Sequence, residues 1–312
     1  MKIEMEYNQK LLSICIPTYN RIEQIQKQVR LLLPQLTEEV QLVVYDNHSD
    51  MSISELFTEQ ELSKFIIIRN CVNVGGDANI ARCFENCNTK WLWTLADDDF
   101  VKETSVSILL EDIKNNQNAT FINYWSPIEK HTDDVDSFLK ILSNGGVFCA
   151  AFTMSVCVYN MYNLKEDLFY YYKNISSMVG PLIMLIRNIL KRGGECIWFN
   201  KPLVELGADV GWNYQTFINY SFLFLQEFSD SKHIYRKTIF LGLFRTDYSL
   251  ISIDRESSHI DWYSRFKLFG KVLMKQGIFN ALLYTPKELF KCFALLFISR
   301  RFKCYLKKLF KS

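Results

Sequence analysis

Asp97, Asp98 and Asp99 stand side by side, directly after the apolar run WLWTLA at residues 91–96. Three adjacent carboxylates at the end of a buried strand repel one another and lose hydration, so they call for a compensating cation. Oxygen ligands of this kind suit Mg2+ or Mn2+, hard ions that also take up phosphate oxygens. A metal held there would neutralise a diphosphate leaving group as a Lewis acid. The competing role is structural: Asp99 precedes FVKETSVSILL and is placed to cap a helix. A cap needs one Asp, and three are present.

Other polar clusters share this position after an apolar run: Thr18 to Arg21, Asp46 to Asp50, and Asn73 to Asn79. Residues 11–16 (LLSICI) read as a buried strand stopping at Pro17, and Asn20 opens a helical stripe of Ile22, Ile25, Val29 and Leu32 or Leu33. Runs at 40–45, 65–68 and 91–96 supply three more strands, with a Gly75-Gly76 loop and a helix over 77–86 before the last. Strands alternating with helices predict an α/β fold, a mostly parallel sheet flanked by helices. Ligands of such sheets bind beyond the carboxyl ends of the strands, where these four clusters fall. Further on, the pattern predicts a strand over 121–125, a helix over 136–142 and a β-prone run over 148–159. A helix over 180–191 and a strand over 196–199 follow, and a helical stretch over 260–312 is interrupted near Pro286.

The 312 residues are 49% hydrophobic and 22% charged, enough for a sizeable core, and the net charge of +2 makes no case for nucleic acid. Nine cysteines without a C-x-x-C pair, and no apolar core in MKIEMEYNQK, point to reduced thiols in a cytoplasmic protein. Four histidines, none at ligand spacing, argue against zinc, and His131 reads as a solvated loop residue. No run approaches the roughly 20 apolar residues of a membrane-spanning helix. Gly75-Gly76 matches neither a dinucleotide fingerprint nor a P-loop.

Taken together and in order, LLSICIPTYNR, VVYDNHSD, NVGGDAN and LADDDF resemble the inverting family 2 glycosyltransferases over about residues 10–105. They are similar above all to bacterial O-antigen and capsule enzymes of the abequosyltransferase kind. The resemblance implies a GT-A-type fold, a nucleotide-sugar donor and Mn2+ or Mg2+. It implies a transferase domain over 1–255, with a nucleotide-binding half at 10–105 and an acceptor half at 106–255, ahead of a helical C-terminal region at 256–312. Pro17, Thr18 and Tyr19 would line the nucleotide pocket, with Tyr19 near the base and Arg21 near the phosphates. Asp46 would accept a hydrogen bond from the base, while Asn79 or Arg82 would close over the nucleotide. Asp97 and Asp98 would meet the ribose or the metal, with Asp99 the main metal ligand and Asp98 the second.

The sequence departs from the family twice. Ala96 stands where many members have a further Asp, and Ser177-Met178-Val179-Gly180-Pro181 stands where a Glu-Asp pair supplies the catalytic base. An inverting transfer needs a base within hydrogen-bond reach of the attacking hydroxyl. Asp209, in LGADVGWNY beside Trp212, and Asp167, in NLKEDLFYYY, are the two substitutes, and each also reads as an ordinary turn or helix-surface residue. Two other functions remain: a nucleotidyltransferase, for which PTYNRIEQ lacks the usual Gly- and Lys-rich triphosphate loop, and a non-catalytic nucleotide-sugar-binding relative.

Residues 286–312 carry eight Lys or Arg against one acid, interleaved with Phe, Leu and Tyr. A basic amphipathic helix of this kind fits an anionic membrane surface; the resemblance, to enzymes that often take lipid-linked saccharide acceptors, implies the inner face of the cytoplasmic membrane. The same pattern also fits a helix packed on the protein with a solvated charged face.

Overall fold

The computed structural model of the chain describes residues 10–175, 179–207 and 226–243, with 245, 270, 273–274, 278–287 and 289–290. The chain forms two compact units, 1–138 with 149–212 and 139–148 with 213–312.

The first apolar runs become strands β1 (Leu12–Thr18) and β2 (Val40–Asp46), buried almost throughout as befits strands covered on both faces. Between them α1 (Ile22–Leu32) buries Ile25, Gln28, Val29 and Leu32. The short α2 (Glu59–Leu62) is fixed by a reciprocal cap between Thr58 and Glu61. Then come β3 (Ile66–Arg69), α3 (Gly76–Glu85), β4 (Trp91–Thr94), β5 (Phe100–Val101) and α4 (Ser105–Asn115). They are followed by β6 (Ala119–Asn123), β7 (Trp125–Thr132), α5 (Val135–Leu142) and α6 (Gly145–Phe152). Next are β8 (Cys157–Asn160), α7 (Met161–Leu164), α8 (Leu168–Lys173), α9 (Gly180–Arg192), β9 (Glu195–Asn200) and β10 (Val204–Glu205).

Eight strands form one sheet in the order β3-β2-β1-β4-β8-β6-β9-β7. The pairs β3/β2, β2/β1, β1/β4 and β6/β9 are parallel, whereas β8 is antiparallel to both β4 and β6, and β7 to β9. Six of the eight strands run the same way, so the sheet is mostly parallel, as the sequence predicted, and the reversed strands β8 and β7 make it mixed. β8 comes from the run at 148–159. Its apolar residues carry no periodicity that separates a buried helix from a buried strand. Through residue 152 it is the end of α6, and β8 is only Cys157–Asn160. His131 likewise lies in β7, with Nε2 3.7 Å from Glu195, not in a loop.

This topology brings the carboxyl ends of β1, β2, β3, β4, β6 and β9 to one edge, together with the start of β8. Under that edge Trp91, Trp93, Phe121, Tyr159 and Trp198 are fully or almost fully buried, with Phe121 and Trp198 packed edge to face at 5.4 Å. Each such ring contributes about 2–3 kcal/mol of apolar burial, so the sheet beneath the polar edge is rigid. The seven described cysteines are all free thiols.

In the second unit Phe228, Ile239, Phe240, Leu243, Ala281 and Tyr284 are buried, and a helix spans Ile278–Tyr284. Most of the basic stretch 286–312 lies outside the described residues. Among the described residues no single helix is long and apolar enough to cross a membrane.

Candidate active site

Beyond β4 the chain enters a tight acidic turn. Helix α4 begins only at Ser105, with Thr104 in the cap position, so none of the three aspartates caps it. Thr18, the last residue of β1, donates Oγ1 to Asp97 Oδ2 at 2.7 Å. Arg21 sends Nη1 to Asp97 Oδ1 at 3.2 Å and to Asp98 Oδ2 at 2.6 Å. Its backbone is aimed by Asn20, which has a φ of 53° and exchanges hydrogen bonds with Asp50. Asn20 and His48 are the two non-glycine residues with positive φ among the described residues, and both lie on this edge. Strained backbone of this kind gathers at functional sites.

Asp99 is held on both oxygens. Ser155, just before β8, donates Oγ to Oδ2 at 2.5 Å, and the Gly207 N–H donates to Oδ1 at 2.8 Å. Ser155 Oγ also accepts the Ala96 N–H at 2.9 Å. From α1, Gln28 donates Nε2 to the carbonyls of Ala96 at 3.2 Å and Asp99 at 2.6 Å, and accepts the Val101 N–H at 3.2 Å. The turn is thus braced from three sides. No described donor reaches Asp98 Oδ1. With all three carboxylates ionised, one guanidinium leaves the turn two negative charges in excess.

Burial pushes the Asp97 carboxyl from 3.8 up to about 6, against the opposing pull of the Thr18 hydroxyl and the Arg21 charge. The folded chain therefore favours its neutral form. That group adds stability below about pH 4, and the contribution is lost as pH rises through about 6. The stability gap between wild type and Asp97→Asn is expected to shift towards the variant by up to about 3 kcal/mol between pH 4 and pH 7. Urea unfolding at each pH measures this, and a gap that does not vary with pH would contradict the burial of the charge.

A second part of the edge is built by asparagines. Asn47 donates Nδ2 to Asn73 Oδ1 at 2.8 Å, and its Oδ1 accepts Asn70 Nδ2 at 3.0 Å and the Val74 N–H at 2.9 Å. Asn79 donates to the Tyr45 carbonyl at 2.9 Å and accepts from Asn70 at 2.9 Å. Asn79 is buried with its amide committed to this network, so it clamps the loops after β2 and β3 instead of closing over a ligand. Arg82 lies two turns into α3, near enough to Tyr172 for its charge to act on that phenol. Asp46 is fully buried: Oδ1 accepts the Ser49 N–H at 2.9 Å, and Oδ2 pairs with Arg69 Nη1 at 2.5 Å. Among the exposed groups here are Arg69, with 36% of its side chain open, and Tyr19 at 43%. Pro17 lies past the last residue of β1 that pairs with β4, where a missing N–H costs no ladder bond.

The two base candidates separate. β8 ends at Asn160 opposite Trp91, the first residue of β4, and the Met161 N–H bonds the Lys90 carbonyl. Asp167 follows at that amino edge, the opposite end of the strands from the acidic turn. It is buried, accepts Asn188 Nδ2 at 2.6 Å, and pairs with Lys191 at 3.6 Å and Arg192 at 3.9 Å. Its charge stabilises the packing of α9, and a donor-site hydroxyl is out of its reach. Asp209 lies outside the described residues, two positions after Gly207.

Four residues of the site were not anticipated from sequence: Gln28, Arg69, Ser155 and Gly207. Gln28 interrupts the apolar stripe of α1, and Arg69 closes the apolar run of β3 at its carboxyl end, so both left a signal. Ser155, inside an apolar run, left none. Gly207 is required by proximity, since a Cβ there would lie 2.7 Å from the Asp98 carbonyl oxygen.

Among the described residues no three Asp, Glu, His or Cys side chains converge on a point that would hold a metal. The donor set fits a different mode. Mg2+ and Mn2+ are often held by one or two carboxylates and completed by substrate phosphates, and Asp98 offers an open oxygen in a turn of excess negative charge.

Glycosyl transferase family 2 matches residues 13–194, more than half the chain and most of the polar edge. Over 104 residues the chain is 31% identical to abequosyltransferase RfbV of Salmonella typhimurium strain LT2, a stretch covering 32% of this chain and 31% of that relative. The chain thus spans about a third of that relative's length. Residues 1–349 of S. aureus TarS in complex with UDP align with a TM-score of 0.60 at 13% identity, over 88% of this chain and 83% of that fragment. The mannosyltransferase PcManGT of Pyrobaculum calidifontis, with GDP-Man and Mn2+, aligns with a TM-score of 0.52 at 10% identity, over 91% and 84% of the two chains. At those identities the likeness is one of fold. The sequence match and the fold coincide on the strands whose ends carry the acidic turn, and on that ground the chain belongs to glycosyl transferase family 2, with a GT-A-type fold.

Proposed function

We propose that the chain transfers a sugar from a nucleoside-diphosphate sugar to a glycan or lipid-linked saccharide in bacterial surface polysaccharide biosynthesis, with a divalent cation and with inversion. One observation carries this reading: an acidic turn whose three adjacent carboxylates meet a single guanidinium lies beside Thr18 and Arg21 at the carboxyl edge of the sheet. The bound UDP, UDP-GlcNAc and GDP-Man of the TarS and PcManGT complexes support a donor of this class, and the PcManGT complex supports the cation.

In this reading Tyr19 lies against the base, and Asp46 acts through Arg69, whose guanidinium it holds toward the edge. Asp97, tied to Thr18, meets the ribose. Asp98 would be the first ligand for Mn2+ or Mg2+ and the bracketed Asp99 the second, an order that follows from which oxygen is open. A divalent cation held there would supply Lewis-acid neutralisation of the charge on the leaving diphosphate. Arg21 binds the same phosphates. Asp209 takes the proton of an acceptor hydroxyl, whose oxygen attacks the anomeric carbon from the face opposite the diphosphate. The bond from that carbon to the phosphate oxygen breaks, and its electron pair leaves with the nucleotide. Residues 286–312 contact the inner face of the cytoplasmic membrane, where a lipid-linked acceptor is presented.

Calorimetric titration of UDP, GDP, CDP and dTDP, each with and without Mn2+, tests the donor reading. One nucleotide is expected to bind in a Mn2+-dependent manner. Absence of binding by all four would end it.

A further inference from the structure

The cation present at the acidic turn is Arg21, and it occupies Asp98, the carboxylate with the open oxygen. We propose that Arg21 is the resident counter-ion of this turn, so that a divalent cation enters together with a nucleoside diphosphate, which draws the guanidinium onto its phosphates. The proposal rests on the metal-dependent donor reading above and specifies how the site loads.

Three features support it. Arg21 Nη1 is 2.6 Å from Asp98 Oδ2 and 3.2 Å from Asp97 Oδ1, so one guanidinium spans both carboxylates. A divalent ion at Asp98 would sit within a few ångströms of that positive charge, in surroundings less polar than water, where like charges repel strongly. The charge count alone would admit the ion, and it is the guanidinium that opposes it. The turn with Arg21 in place carries two excess negative charges, and a divalent ion alone would cancel them while still facing the guanidinium. A diphosphate adds the negative charge that holds both cations at once. Arginine is also the side chain best matched to phosphate oxygens, through paired N–H donors.

The construction of the loop permits the movement. The backbone before Arg21 is fixed, because Asn20 is tied by its amide to Ser49 Oγ at 2.9 Å and by its side chain to Asp50. The Arg21 side chain is 35% open to solvent, so the guanidinium can turn while its Cα stays in place. Asp97 keeps its Thr18 bond when Arg21 leaves, so the turn retains an anchor. Lys27, the nearby cation on α1, rests over the Phe100 ring at 3.6 Å and takes no part in the exchange.

Mn2+ binding followed by electron paramagnetic resonance, with and without UDP, GDP, CDP and dTDP, separates the outcomes for wild type, Arg21→Gln and Arg21→Lys. Wild type is expected to bind free Mn2+ weakly and to bind it far more tightly with its nucleotide. Arg21→Gln is expected to bind free Mn2+ about tenfold more tightly than wild type and to lose about tenfold in nucleotide affinity, with Arg21→Lys closer to wild type. If Arg21→Gln takes up free Mn2+ no better than wild type, while wild type still takes it up with a nucleotide, the counter-ion proposal is overturned and the donor reading stands. If no protein takes up Mn2+ with any nucleotide, the metal reading fails and this proposal fails with it.

Discussion

Replacing Asp98 by Asn is expected to lower kcat/KM for sugar transfer by about a thousandfold or more and to leave the fold nearly as stable as wild type. The substitution keeps the shape of the side chain and removes one negative charge. Asp98 is the carboxylate with an oxygen that no described donor reaches, and its protein partner Arg21 is partly open to solvent. A half-exposed ion pair of this kind is worth only about 0–1 kcal/mol, so its loss is a small stability term. The functional term is much larger, since preorganised charge at a leaving group is worth several kcal/mol, and a thousandfold loss corresponds to about 4 kcal/mol. Asp99→Asn offers the contrast. Both of its oxygens accept protein donors, so in the variant the amide oxygen can keep only the Gly207 N–H, and the NH2 reverses the Ser155 bond, leaving the hydroxyl proton without its carboxylate acceptor. That variant is expected to lose stability as well as rate. Steady-state kinetics and thermal unfolding measured side by side distinguish the two. An Asp98→Asn enzyme within tenfold of wild type would remove Asp98 from the proposed chemistry.

The contrast between these two aspartates shows what the sequence could and could not convey. That an acidic cluster ends a buried strand was legible, because WLWTLA and the three carboxylates are contiguous. Which of their oxygens stay open was not. The sequence favoured Asp99 as the main ligand, whereas the structure gives the open oxygen to Asp98, because Ser155 and Gly207 close on Asp99 from positions 56 and 108 residues away. Long-range partners of this sort leave no local periodicity. The same holds for Asp46 and Asn79. Both were placed at the right edge, and both turn out to be consumed by neighbours that sequence cannot pair with them, Arg69 and the Asn47–Asn70 network. Asp167 was a plausible carboxylate until the antiparallel entry of β8 carried it to the far end of the strands. Four strands and two helices of the first hundred residues were legible from alternation and turn residues. The two reversed strands were not: β8 lies in the run 148–159, where apolar residues alone do not separate helix from strand, and most of β7 lies past the predicted strand at 121–125.

Gly207→Ala is expected to lower kcat by about a hundredfold while changing the dissociation constant of the nucleotide by less than tenfold. The added Cβ would lie 2.7 Å from the Asp98 carbonyl oxygen and 3.2 Å from the Asp98 Cβ. The nearer of these is backbone, so no rotamer change relieves the contact. Either the acidic turn moves, or residue 207 retreats and its 2.8 Å hydrogen bond to Asp99 is lost. In both cases Asp98 and Asp99 shift relative to the segment that carries Asp209, and a displacement approaching 1 Å in a catalytic arrangement costs about a hundredfold. Overpacking of this kind also costs about 1–3 kcal/mol of stability. Thr18, Tyr19 and Arg69 lie on other loops, so the nucleotide keeps most of its contacts, and the effect falls on kcat. Gly76→Ala is the matched control, because a Cβ at the start of α3 meets nothing within 4 Å and Gly76 has no positive φ. It is expected to be neutral or to stabilise by up to about 1 kcal/mol. A Gly207→Ala enzyme with wild-type kcat would mean that the close approach of residue 207 to the acidic turn serves packing alone, and it would loosen the case for placing Asp209 at the reacting centre.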